Sequence, residues 1–497
     1  MLEPEALSRE ELIALVRDQA ARLESQAVEL DVLRTELERI KRLLSRNSGN
    51  SSMPPSADDL PGRGRPVKPA KGKGSAKRKR GKQAGTAGVH LPWLSDADVE
   101  VVDQRPEGTC DGCGTDLAEA FDEGVDRACQ VTDVPLVTAK TTEYRMRQVR
   151  CPCGRAHVAE PPSLAGTGNT RVYGPNLRAL VVYLLVFQHV PVERCVRLIA
   201  DLTGATVSAG FVHKALARCA AILTGVMKTI KTLITLAAVV HFDETTLRAG
   251  KAGIKQYVWS ASTALYSFFA LGRRTGKQFR SLDIGPHFNG VAVHDRYVVY
   301  DSSDSFGSGV RHQLCCSHLL RDLADAAETY PDAVWPIQCA RALRGLIHAS
   351  NVARAAGDPE IRPEHREELL DEFRHGVLVG LKEVPRIGGP KDKQSPARSL
   401  LEDLDTRQAD VLRFCYDTMI PPTNNLAERD LRPTKTQQKI SGRLTSDEAT
   451  NNRLTIRGYI CTAAKHGLDA MTVLRNALTG NPWTPTAAQA VAALSLA

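Results

Sequence analysis

The acidic residues are the first candidates for chemistry on this chain of 497 residues. Asp243 lies in AAVVHFDETTLRAG, Asp295 in GVAVHDRYVVYD and Glu428 in PPTNNLAERDLRP. Two aspartates at strand ends and one glutamate on a helix are able to converge on a pair of divalent ions. Such ions, roughly 4 Å apart, activate a nucleophile and stabilise a leaving oxygen in phosphodiester cleavage. Mg2+ suits carboxylate and water ligands, and Mn2+ takes a similar shell. Residue type and spacing do not choose among the acids. Glu244 adjoins Asp243 and points to the opposite face of its strand. Both faces carry apolar neighbours, Val239 on one and Val240 and Phe242 on the other. Asp301 and Asp304 compete with Asp295 in the same way. An ordinary reading also stands beside Glu428, because Arg432 four residues later on a helix would make a surface ion pair.

The cysteines suggest a second chemistry. Cys110-Asp-Gly-Cys113-Gly is followed, 38 residues on, by Cys151-Pro-Cys153-Gly. Turns of this kind aim backbone amides at thiolate sulfur and present two ligands to one ion, so two pairs make a four-Cys zinc ribbon. The intervening VTDVPLVTAKTTEYRMRQVR reads as strands, and Cys129 and His157 are spare ligands. The second pair is Cys-x-Cys, a departure from the usual spacing. A redox Cys-x-x-Cys is the alternative, without the strand–helix pattern it needs.

The elements that must position the acids follow from periodicity. AVVHFDETTL, KQYVWSAST and LYSFFALG read as three antiparallel strands, TGKQFRSLD as a helix, GVAVHDRY as a fourth strand, and HQLCC as a fifth leading into helix SHLLRDLADAAE. This is the order of a ribonuclease H-like fold, in which the first and fourth strands lie side by side. Asp243 and Asp295, 52 residues apart, would then be neighbours. Residues 330–415 are rich in Ala, Arg, Glu and Leu and read as a helical insertion. Upstream, LRALVVYLLVFQHVPVERCVRLIADLTG and ATVSAGFVHKALARCAAIL read as two helices around a Gly-containing turn, with a cap among Thr206 to Ser208. The pair is helix-turn-helix-like, which fits DNA reading and plain packing equally.

Further toward the N-terminus, Val16, Leu23, Leu30, Leu37 and Leu44 recur every seven residues, offset from Leu12, Gln19, Gln26, Leu33 and Ile40. These are the two seams of a coiled coil, and they imply self-association. A Pro-, Gly- and Ser-rich stretch comes next. Between residues 62 and 82 it carries ten cations, among them Lys77, Arg78, Lys79 and Arg80, and no anion. It cannot bury enough surface to fold alone, and it would attract the DNA backbone without sequence preference. The net charge of +8 is thus an arm rather than a general property. The longest uninterrupted apolar run, 179–187, is under half a membrane span, and the acidic N-terminus has no signal-peptide core. The expectation is a cytoplasmic protein, nucleoid-associated through this arm, without membrane partners. Twelve cysteines are too few and too scattered for a disulfide scaffold.

Several of these segments together resemble one family. HFDETTLRAGKAGIKQYVWSAST is similar to the block that opens the catalytic domain of insertion-sequence family sixty-six transposases. VAVHDRYVVY resembles its second-aspartate strand, HQLCCSHLLRDL its Cys-x-x-His-x-x-Arg segment, and NNLAERDLRP the block with its third acid. SRNSGNSSMPPSADD, the two Cys pairs and YGPNLRALVVYLLVFQHVPVER look like that family too, in the same order along nearly the whole chain. The resemblance implies a DNA transposase with an Asp-Asp-Glu triad, here Asp243, Asp295 and Glu428. It implies Mg2+ or Mn2+ at that triad and structural Zn2+ at the Cys pairs. Asp243 would bridge both ions, and Asp295 and Glu428 would each complete one shell. Asn425, Arg429 and Arg432 would hold phosphates, with helix capping and surface charge as the ordinary reading. Two departures concern the grip on DNA: Thr423 replaces a frequent acid, and TKTQQKISGRL replaces a usual Arg-Lys pair, for which Lys439 is a stand-in. Cys315 and His318 are read as packing or hydrogen-bonding near the site rather than binding zinc, and His294 and His241 as structural.

The chain is therefore expected to be multidomain α+β. A coiled coil spans 1–46, a basic disordered linker 47–88, a zinc-ribbon-like domain 89–160 and the helix-turn-helix-like region 161–235. A ribonuclease H-like catalytic domain spans 236–480, and a tail 481–497. The implied activity is cleavage and strand transfer at the element's terminal inverted repeats into target double-stranded DNA, by a homo-oligomer with or without accessory proteins. A catalytically silent DNA-binding regulator and a structure-specific nuclease on the same fold are the alternatives.

Overall fold

The computed structural model of the chain describes residues 13, 17–26, 92–134, 137–162, 171–251, 254–389, 392–486 and 489. Residues 17–26 are helical, with Leu23 exposed. The heptad positions from Leu30 to Leu44, and the basic segment with Lys77, Arg78, Lys79 and Arg80, lie outside the described residues. The chain divides into two compact units, Lys68–Ala139 and the remainder.

In the unit Lys68–Ala139, a tight turn carries the first Cys pair. Thr109 and Asp116 bridge, Cys110 N–H donates to Thr115 O at 2.9 Å, and Gly114 N–H donates to Cys110 O at 2.8 Å. Gly114 takes φ 76°, a left-handed conformation that glycine adopts without strain.

The other unit holds a short antiparallel hairpin, β1 (Gln148–Arg150) and β2 (Ala156–Val158), closed over the second Cys pair. Of the stretch 131–150 read as strand, only β1 is strand; the described residues of 131–147 have none. Val131, Val134 and Val137 are exposed there. Strand propensity yields a ladder only where a face is packed, and these valines stay exposed.

The region 171–235 holds three helices where two were expected: α1 (Pro175–Val186), α2 (Val192–Thr203) and α3 (Ala209–Thr235). The first predicted helix breaks before Pro191, which lacks an N–H and pushes its predecessor out of helical geometry, and His189 takes φ 58° in the break. Gly204 in left-handed geometry ends α2, and the Ser208 hydroxyl accepts from Phe211 N–H to cap α3. By length and composition α3 could cross a membrane. Its apolar side is spent inside the protein, however: Val212, Leu216, Leu223, Ile230 and Ile234 are buried in one core, while Lys214, Arg218 and Lys228 are exposed.

The central sheet follows the expected order. Strands β3 (Val239–Leu247), β4 (Gln256–Ser262) and β5 (Ser267–Gly272) pair antiparallel. After the short helix α4 (Gly276–Ser281), β6 (Val291–His294) lies parallel to β3, and β7 (Arg311–Leu314) lies parallel to β6. The spatial order is β5-β4-β3-β6-β7, a mixed sheet consistent with a ribonuclease H-like domain. Gly290 permits the β3–β6 contact, because a Cβ there would collide with the Ala238 carbonyl.

Helix α5 (Cys316–Thr329) leads into the helical insertion: α6 (Trp335–Ala356), α7 (Pro363–Glu383), α8 (Pro396–Thr406) and α9 (Gln408–Leu412). Trp335, Leu343, Phe373 and Leu401 form its core, which joins the sheet edge at Val291 and Leu314. The chain then returns through α10 (Asn425–Ser441), α11 (Asp447–Lys465) and α12 (Ala470–Leu478).

Candidate active site

The register of β3 and β6 decides where the aspartates meet. Val239 pairs with Val291, Val240 with Ala292 and His241 with Val293. The pairing ends there; Asp295 directly follows β6, near enough to Asp243 for its charge to act on it. Asp243 accepts the Glu244 N–H at 2.8 Å through one oxygen, and Asp295 accepts the Tyr297 N–H at 3.0 Å through one of its own. Burial, then the charges of Glu244 and Asp295, hold the Asp243 carboxyl well above the usual carboxylate range. A cation would relieve all three effects.

Glu428 reaches this place because α10 is pinned to the sheet. Asn424, at the helix start, donates from Nδ2 to Phe242 O at 2.8 Å and shares a 3.1 Å hydrogen bond with His241 Nδ1. Further along, Lys435 Nζ donates to Thr246 Oγ1 at 2.6 Å, and the Asp243 charge acts on it. On another side, the Asp430 carboxylate accepts from Ser262 at 2.8 Å, Ser267 at 2.7 Å and Lys465 at 2.8 Å. Glu428 sits one turn into the helix, its N–H donating to Asn424 O at 3.2 Å. Its Oε1 is buried without a hydrogen bond. The nearest cations are His318 and Arg321 of α5, each 3.9 Å away. The expected surface pair with Arg432 is not among the ion pairs of the described residues; Arg432 is exposed.

His318 touches all three acids electrostatically. It lies 3.9 Å from Glu428, its charge favours ionised Asp243, and the Asp295 charge favours its own protonated form. Burial pulls its pKa down, but the neighbouring Cys315 sulfur outweighs this and lifts it to about 9. Burial likewise raises the Cys315 thiol, yet His318 brings it below its ordinary value.

The competing acids have other partners. Glu244 accepts from Arg274 at 2.7 Å and Tyr300 at 2.6 Å, on the face that carries Phe242. Burial and then the Asp295 charge push it up to about 7, against these two donors. Asp301 pairs with Arg407 at 2.8 Å, and Asp304 lies exposed, 3.8 Å from Arg280. Arg296, next to Asp295, bridges Asp322 of α5 and Asp403 of α8, both at 2.6 Å, and so ties the Asp295 turn to the insertion. His241 and His294 are buried and held at about 4 and about 3, chiefly by burial, which suits packing residues.

A family comparison settles the broader class. The model of the transposase IS66 family matches residues 170–452, more than half of the chain. The chain belongs to that family. No curated protein matches it. The IS66-family match runs from α1 into α11 and includes Asp243, Asp295, Glu428, Cys315 and His318.

Asn425, Arg429, Arg432 and Lys439 are all exposed within this span. Their spacing of four, three and seven puts them along one stripe of α10. Lys435 and Arg321 escaped the sequence reading. Both had a usable signal, since Lys435 is seven residues after Glu428, and Arg321 continues the every-third-residue series of Cys315 and His318.

The Cys pairs lie outside the matched span. Cys113, Cys151 and Cys153 are exposed and Cys110 half-buried, with Cys129 and His157 exposed as well. The Thr115 hydroxyl lowers the Cys113 thiol, and the Arg155 backbone N–H lowers Cys153. Cys110 and Cys113 belong to the unit Lys68–Ala139, and Cys151 and Cys153 to the other.

The donor set at Asp243, Asp295 and Glu428 fits hard divalent cations. All three are carboxylates, Glu428 Oε1 accepts no hydrogen bond, and Asp243 is crowded by like charge.

Proposed function

We propose that this IS66-family protein is a DDE transposase that cuts the ends of its insertion sequence and joins them to target DNA. The observation that supports the reading is that β3 and β6 run side by side, with α10 held to β3 through Asn424 and His318 within electrostatic reach of Asp243, Asp295 and Glu428. These three residues would hold two Mg2+ or Mn2+ ions. Such ions supply Lewis acidity and make water a nucleophile near neutral pH. The rest of the chemistry belongs to the chain. Arg429, Arg432, Lys439 and Asn425 offer one exposed stripe to DNA phosphates. His318 and Arg321 hold Glu428 in place by charge. Glu244, spent on Arg274 and Tyr300, keeps the Asp243 strand fixed to the aromatic core behind it. Water attack at the element end releases a 3′-hydroxyl, and that hydroxyl then attacks the target strand in the same site.

Outside this span the reading extends the sequence argument. The Cys110–Cys113 and Cys151–Cys153 pairs would each offer thiolates to structural Zn2+. The heptad segment would join protomers in a synapse, and the cationic arm would add salt-dependent affinity for DNA.

The test is an assay of cleavage and strand transfer on DNA carrying the element's ends, with Mg2+ or Mn2+, for wild type, Asp243→Ala, Asp295→Ala and Glu428→Ala. Joined product from wild type, absent from all three variants while end binding persists, supports the proposal. Cleavage without joining points to a nuclease. Tight end binding with no metal-dependent product, with and without the element's other proteins, points to a regulator.

A further inference from the structure

Cys315, His318 and Glu428 come together where α5 and α10 begin. Cys315 directly precedes α5, His318 is in its first turn, and Glu428 is in the first turn of α10. Cys315 Sγ, a His318 ring nitrogen and a Glu428 carboxylate oxygen all lie within 4.8 Å of one another. Among the described residues this is the one such group of three His, Cys, Asp or Glu side chains. His318 Nδ1 and Glu428 Oε1 face each other at 3.9 Å, and both are buried without a hydrogen bond. At 3.9 Å the pair is too far apart for a hydrogen bond, and an ion between the two atoms would serve both. The third donor is already dressed as a thiolate ligand, because the Asn424 backbone N–H points at Cys315 Sγ at 3.1 Å.

We infer that Cys315, His318 and Glu428 form a binding site for a thiophilic divalent ion of the Zn2+ class. One thiolate, one imidazole and one carboxylate give three ligands and leave a fourth position open. Sulfur and nitrogen donors select Zn2+ or Co2+ over Mg2+, which prefers the oxygen-only set across the site. Glu428 is common to both sets. An ion held by Cys315 and His318 draws this carboxylate from Asp243 and Asp295, making Zn2+ an antagonist of Mg2+-dependent cleavage. That consequence rests on the transposase reading; the site itself does not.

The experiment counts metal on the full-length chain. Wild type, Cys315→Ser, His318→Gln and the control Cys461→Ser are saturated with Zn2+, desalted and assayed for bound metal, with folding checked by circular dichroism. Wild type and Cys461→Ser are expected to retain one equivalent more than Cys315→Ser and His318→Gln, whatever the other cysteine pairs hold. A matching loss of the sulfur-to-Co2+ absorption in Cys315→Ser supports the assignment. Equal metal in wild type and both folded variants overturns it. Should those two fail to fold, the isosteric Glu428→Gln decides: losing the equivalent supports the site, and keeping it overturns the site. No result here depends on DNA cleavage, so an inactive chain would sink the transposase reading and leave the metal count intact.

Discussion

Asp243 and Glu244 are adjacent on β3, yet the pleat sends them to faces with opposite demands. Behind Glu244 stands an aromatic core of Phe242, Phe279, Phe288, Tyr300 and Phe306. There Arg274 and Tyr300 engage both carboxylate oxygens of Glu244. On the other face Asp243 has its neighbour's N–H, a row of like charges and the cations His318 and Lys435 at its margins. One acid is a finished structural contact. The other is left wanting a counter-charge. In the proposed cation site, ordinary partners are withheld from one carboxylate while its neighbour receives them in full.

The sharpest way to break this contrast is to neutralise each acid in turn. Asp243→Asn should cut strand cleavage by about 10³-fold or more, since lost metal ligation removes several kcal/mol of transition-state stabilisation. Glu244→Gln should stay within about tenfold of wild type. Equal losses would erase the distinction between the faces. A second test removes the anchor of the Glu428 helix. Asp430→Ala leaves the Lys465 ammonium without its carboxylate and should lower unfolding free energy by about 3 kcal/mol in denaturant titrations.

The third prediction concerns pH, without metal. Glu244 is raised from its usual 4.5 to about 7, so the folded chain binds more protons than the unfolded chain between those values. Its contribution is fully present below about 4.5 and is lost as pH rises through about 7. The buried histidines His189, His241 and His294, lowered from 6.5 to about 4, about 4 and about 3, add a slope of the opposite sign, so the readout is the difference: the stability of wild type relative to Glu244→Gln should fall across that window. A difference that stays flat or rises there would contradict the buried-acid account. The smallest effect belongs to Asp304→Ala. Its carboxylate is exposed and 3.8 Å from Arg280, so unfolding free energy should change by less than about 0.5 kcal/mol.

Much of this was legible before any coordinates. The strand–helix order gave the sheet, and the parallel neighbourhood of β3 and β6 followed from it. The choice between Asp243 and Glu244 was not legible from alternation, because both faces of β3 are apolar. It depends on Arg274 and Tyr300, which only the folded sheet brings to Glu244. The break at His189 to Pro191 is legible from proline chemistry, while the apolar period runs straight across it. The stretch 131–147 had β-rich composition and no buried face to act on it. His318 was seen as a neighbour of the site, but its reach to three acids required α5 and α10 to start side by side. The cysteine turns were the opposite case, since their geometry is local and follows from spacing and Gly114 and Gly154 alone.

The most direct test of the central claim uses Fe2+ as a probe for the Mg2+ positions. Fe2+ bound to the full chain, with ascorbate and peroxide, cuts the backbone beside its ligands. The account predicts Mg2+-suppressible cuts near residues 243, 295 and 428 together, all lost in Asp243→Asn. Cuts that miss these three segments, or that Mg2+ does not suppress, would contradict a shared cation site at Asp243, Asp295 and Glu428.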